Sequence, residues 1–109
     1  MDKEQIKNKI ISALLPLQPE KVILFGSYAH NAEHDDSDVD IYIVSNEDYL
    51  PATYAENMLH YKKYSRPLKK LKQEIPLDLL NHTRVMNRMF ESTDSSFARE
   101  IKLNGERLL

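Results

Sequence analysis

The sequence predicts an α/β or α+β domain built on a small sheet, and three observations carry that expectation. Short runs of strand-forming residues at 21–25, 39–44 and 75–80 alternate with longer stretches of helical periodicity. A chain of 109 residues with 41% apolar and 29% charged residues suits one soluble globular domain over 1–109, and leaves no room for two independent folding units. Cysteine is absent, so the core must hold without disulfides, and thiol catalysis and thiolate zinc sites are excluded.

The first helix is expected over 4–17, where Ile6, Ile10, Ile11, Leu14 and Leu15 form one apolar stripe and Pro16 and Pro19 end it. Residues 21–25 read as a buried strand stopped by Gly26-Ser27, with a short helix at Tyr28-Ala29-His30 and a polar loop over 31–37. The second strand covers 39–44, and 45–48 lead towards a helix start. A long helix over 52–73 should be interrupted near Arg66-Pro67, because a residue before proline disfavours the helical region. The third strand, 75–80, contains Pro76, which cannot donate a ladder hydrogen bond, so this strand should lie or begin at a sheet edge. Met86, Met89 and Phe90 share a helical face assigned to the core, and Asp94-Ser95-Ser96 caps a last helix that carries Phe97 and Ile101 and ends by Gly105. The expected order is α-β-α-β-α-β-α, without repeats or a linker.

A formal charge of -2 provides no global attraction for nucleic acid or an anionic membrane. The six cations Lys62, Lys63, Arg66, Lys69, Lys70 and Lys72 read as a solvated helix face. No apolar run approaches the roughly 20 residues of a membrane span, and Met1-Asp2-Lys3-Glu4 opens a charged helical pattern rather than a secretion signal. A cytoplasmic protein without a membrane partner is the default expectation.

Chemistry concentrates at 25–40. Gly26 directly after a strand allows close approach to the backbone, and Ser27 at a helix start offers a hydroxyl and free N–H groups, which together make a phosphate cradle. It is not a Walker A loop, since no Gly-Lys-Ser/Thr follows. Asp38 and Asp40, two apart on a strand, point to one face. Adjacent carboxylates suit a hard divalent cation such as Mg²⁺, which keeps sites open for substrate phosphates. Asp78, between Leu77 and Leu79, is the candidate third acid. Asp36, Asp38, Asp40 and Glu47 also match the acids of an EF-hand loop, but Ile41 occupies the position of its essential glycine and a strand follows. His30 and His34 read as loop residues rather than zinc ligands.

Gly26-Ser27 with Ala29, then Asp38-Val39-Asp40 after Ser37, with Asp38 eleven residues beyond Ser27, and a later strand aspartate resemble the nucleotidyltransferase superfamily that includes DNA polymerase beta. The similarity is to its minimal, MNT-type members and covers nearly the whole chain. It implies a mixed sheet of five strands or fewer flanked by helices. It also implies Mg²⁺-dependent transfer of a nucleoside monophosphate, AMP from ATP in the first instance, with release of pyrophosphate. By the motif, Gly26 and Ser27 hold the nucleotide phosphates, Asp38 and Asp40 bind metal, and Asp78 completes a two-ion site and acts as base. Asn31 replaces a second glycine of such motifs, and Tyr28 a common basic residue. Minimal members commonly pair with a helical HEPN-type toxin, so the resemblance implies an antitoxin that modifies a tyrosine of that partner within a homo- or hetero-oligomer. The alternatives are a catalytically weak module that neutralises its partner stoichiometrically and a transferase acting on a small molecule. With little chain beyond the motif-bearing core, the expectation is that a partner supplies the acceptor's surroundings.

Overall fold

The computed structural model describes residues 1–29 and 38–109. Helix α1 (Lys3–Leu14) is started by a capping box: Asp2 accepts the Gln5 amide at 2.8 Å, and the Gln5 side chain accepts the Asp2 amide at 2.9 Å. Ile6, Ile10 and Leu14 form its buried stripe, and a 3-10 turn containing Pro16 ends it. Strand β1 (Lys21–Phe25) runs into a 3-10 turn at Gly26–Tyr28, and β2 (Val39–Val44) returns beside it. Thr53 caps α2 (Tyr54–Ser65), and the chain passes through Arg66–Leu68 into α3 (Lys69–Glu74), which places the expected interruption at Arg66-Pro67. Strand β3 (Leu77–His82), α4 (Arg84–Ser92), α5 (Ser96–Asn104) and β4 (Glu106–Arg107) complete the order.

The four strands form one sheet in the order β3-β2-β1-β4, with β2 and β3 parallel and the other neighbours antiparallel. It is a mixed sheet flanked by helices, and β3 lies at an edge as Pro76 requires. Pro76 itself stays outside the strand, where its carbonyl accepts the Val39 amide at 2.9 Å. β4 was not expected. Two polar residues carry no strand periodicity, and their pairing with Ile23 and Leu24 depends on backbone brought alongside β1 by α5.

Alternation along the strands separates two cores. Val22, Leu24, Val39, Ile41, Ile43 and Leu77 pack against α1, Tyr64, Leu68 and Leu71, while Ile23, Tyr42 and Val44 pack with Ile101, Phe25, Leu80 and Phe90 beneath α4 and α5. The six cations at 62–72 are exposed on the outer side of α2 and α3. Among the described residues no helix is long and apolar enough to cross a membrane.

Helix α4 corrects one expectation. Phe90 packs against the smaller core as expected, but Met89 is 53% exposed and Asn87 is buried, so the buried face is turned away from Met89 towards Asn87. The cause is the hydroxyl of Tyr42 in the core, which needs polar partners once dehydrated. It donates to Asn87 Oδ1 at 2.7 Å and lies 2.9 Å from His82 Nδ1. Burial, and secondarily the Glu91 carboxylate, hold this phenol well above its ordinary pKa.

Two imidazoles make stability depend on pH. Burial lowers the pKa of His60, whose Nε2 lies 3.0 Å from Ser45 Oγ, with lesser and opposed effects from Glu47 and Lys63. Burial also lowers that of His82, with a smaller contribution from His60. A depressed folded pKa means that stability is full above the unfolded value of about 6.5 and is lost as pH falls below it through the folded values. Thermal unfolding followed by circular dichroism should give a lower Tm at about pH 5 than at about pH 7, with a smaller difference in His60→Gln. An equal pH dependence in wild type and variant would remove His60 from this account.

Candidate active site

Because β1 runs antiparallel to β2 while β3 runs parallel to it, the end of β1 and the starts of β2 and β3 meet at one end of the sheet. There, Asp40 is the register partner of Phe25 on one side and of Asp78 on the other. Directly paired residues on adjacent strands share a face, so Asp40 and Asp78 stand side by side on the face covered further along by α4 and α5. Asp38 precedes β2 by one residue and is exposed, as is Asp78, while Asp40 is half-buried. Partial burial pushes the Asp40 carboxyl above the ordinary range, and repulsion from Asp78 and then Asp38 pushes it the same way.

Gly26 shapes the other wall. Its φ of +76° lies in the left-handed region, and a Cβ placed there would overlap the Asp40 carboxylate. Glycine is therefore required twice, for the turn and for the close approach of its backbone to Asp40. The 3-10 turn closes with Ala29 N–H donating to Gly26 O at 3.1 Å. Tyr28 packs against the larger core.

The arrangement brings the Asp40 and Asp78 carboxylates together beside the Gly26 turn. Among the described residues no cation pairs with Asp38, Asp40 or Asp78, and no three acidic or imidazole groups converge to metal-binding distance. The carboxylates nonetheless fit a hard divalent ion chemically, because their mutual repulsion, which adds to burial in raising the pKa of Asp40, is what such an ion relieves. His30, Asn31, His34, Asp36 and Ser37 lie outside the described residues, and with them the histidine alternative and the first acid of the EF-hand alternative. Ile41 and the residues after it continue β2, rather than entering the helix an EF-hand needs.

Sequence reasoning missed the aromatic surround of this site. Phe25 meets Phe97 edge-on with ring centroids 5.6 Å apart, and Phe97 meets Phe90 at 5.8 Å. Helical spacing had placed Phe97 on the same face as Ile101, yet Phe97 is 45% exposed while Ile101 is buried.

Residues 8–109 match the family model described as Polymerase beta, Nucleotidyltransferase. No curated protein is similar enough to match. Three solved structures share the fold. A toxin-antitoxin with AMP-PNP is 24% identical with a TM-score of 0.61, covering 94% of this chain and 72% of that one. An aspartate-to-glutamate double mutant of the toxin-antitoxin MntA-HpeT is 21% identical with a TM-score of 0.59, covering 94% and 71%. The tri-AMPylated HEPN toxin of Shewanella oneidensis in complex with MNT antitoxin is 19% identical with a TM-score of 0.57, covering 99% and 72%.

Proposed function

The chain belongs to the polymerase beta nucleotidyltransferase family, and from that premise we propose that it is a Mg²⁺-dependent transferase that moves AMP from ATP onto a tyrosine hydroxyl of a HEPN-type toxin, acting in the cytoplasm as its antitoxin. The observation that carries the proposal is the placement of Asp40 beside Asp78, with Gly26 packed against the Asp40 carboxylate. The similar structures support the nucleotide and the partner. One holds AMP-PNP, one contains an AMPylated HEPN toxin with its MNT antitoxin, and one carries two replaced aspartates at the spacing of Asp38 and Asp40.

In this proposal Asp38 and Asp40 hold Mg²⁺, with Asp78 completing the donor set. When bound, the ions neutralise the triphosphate and the departing pyrophosphate. The amides at Gly26-Ser27 receive phosphate oxygens and hold the triphosphate in line for attack. Asp78, exposed on the edge strand, takes the proton of the acceptor hydroxyl. The acceptor oxygen then bonds to the α-phosphorus, the bond to the β-phosphate oxygen breaks, and pyrophosphate leaves with the electron pair.

The test is co-purification with the product of the neighbouring reading frame, followed by intact-mass measurement after addition of ATP and Mg²⁺. A gain in multiples of AMP on the partner is the expected result. Protection of cells by Asp38→Asn and Asp40→Asn variants, without any mass gain, would replace transfer by stoichiometric neutralisation. Mass gain only on added small molecules would replace the acceptor.

A further inference from the structure

We propose that Phe97, braced by Phe25 and Phe90, is the shelf on which the base of the donor nucleotide rests. Phe97 lies in the first turn of α5 and is 45% exposed. It is held in place, since Phe25 meets it at an interplanar angle of 67° and Phe90 at 74°, both edge-on. A large apolar ring fixed by two neighbours yet left open to water has surface available for a ligand and little freedom to lose on binding.

Its position selects the ligand. Phe25 is the register partner of Asp40 and the residue directly before Gly26, so shelf, carboxylate and turn lie at the same end of one sheet face. Asp78 stands on β3, on the far side of β2 from β1, which puts the acceptor side two strand spacings, about 10 Å, from Phe25. The shelf therefore belongs to the donor side. A phenyl ring forms no hydrogen bonds to phosphate or ribose, but it stacks on any base, and a purine offers it the larger face. The inference rests on the nucleotidyltransferase proposal and adds to it the residue that receives the base.

The experiment measures binding calorimetrically on the full chain with Mg²⁺, using two probes: AMP-PNP, and inorganic tripolyphosphate, which has no base. Phe97→Ala should bind AMP-PNP about tenfold more weakly, the scale of one base–aromatic stack, with tripolyphosphate affinity unchanged. Phe97→Tyr, which keeps the ring, should stay within about twofold of wild type. Both variants should fold, because the side chain is half open, and circular dichroism checks this. Unchanged AMP-PNP affinity in Phe97→Ala overturns the shelf, as does an equal loss of both probes. Loss of co-purifying partner with AMP-PNP affinity intact also overturns it and makes Phe97 a partner contact. Failure of the wild type to bind either probe overturns the nucleotide proposal itself, and the shelf with it.

Discussion

Asp40→Asn should abolish the proposed AMP transfer and yet leave a chain that unfolds at a temperature no lower than the wild type. The first half follows from position: Asp40 is flanked by Asp78 in register and by Gly26 in contact, between the other two parts of the proposed site. Losing a preorganised charge partner at a reacting phosphate should lower the rate by a factor on the order of 10³ or more. The second half follows from electrostatics. Burial, Asp78 and Asp38 all raise the pKa of Asp40 in the folded chain. A carboxyl with a raised folded pKa favours folding fully below its unfolded value of about 3.9, and that contribution is lost as pH rises through the folded pKa. Near neutral pH the ionised group therefore opposes folding, and asparagine removes the opposition while keeping the shape. In metal-free buffer the variant's Tm should equal or exceed the wild type's at about pH 7, with the difference shrinking towards about pH 4. Persistent transfer of label from ATP would end the assignment of Asp40. A clear fall in Tm would show that its carboxylate stabilises the fold instead.

Gly26→Ala should damage both stability and binding. A residue with a Cβ at a φ of +76° is strained, and this Cβ also overlaps the Asp40 carboxylate. Left-handed strain alone is worth about 1 kcal/mol, and displacing the turn or the Asp40 side chain brings the loss to about 1–3 kcal/mol. Chemical denaturation measures that loss. Binding of AMP-PNP should fall further than the stability loss explains, because the carboxylate and the turn amides are moved apart. A variant as stable as the wild type, with unchanged AMP-PNP affinity, would show that the turn is free to shift and does not shape the site.

Much of this was legible in the sequence, for local reasons. The strand-forming run ending at Phe25, the alternation across 39–44 and the missing donor at Pro76 each report on backbone geometry within a few residues. For that reason three of the four strands and the edge position of β3 were anticipated. Asp38, Asp40 and Asp78 stood out because acids in strand-forming segments need a reason to be there. The rotation of α4 was not legible. The methionine stripe argued for one face, whereas the buried hydroxyl of Tyr42, 45 residues before Asn87, demanded another. β4 was hidden because its two residues become a strand only when laid beside β1.

The sequence by itself determined the three longer strands and the helices between and after them, the glycine-serine turn after a strand and the supply of carboxylates, because propensity, capping and side-chain alternation act over short stretches of chain. Only the tertiary structure decided that Asp40 faces Asp78 rather than another residue of β3, that Gly26 lies against the Asp40 carboxylate, and that Phe97 stays open to solvent beside Phe25. Those facts depend on strand register and on the seating of α5 upon the sheet. Both are set by the joint packing of two cores on opposite faces, and a shift of one residue in register would turn the carboxylates to the opposite face.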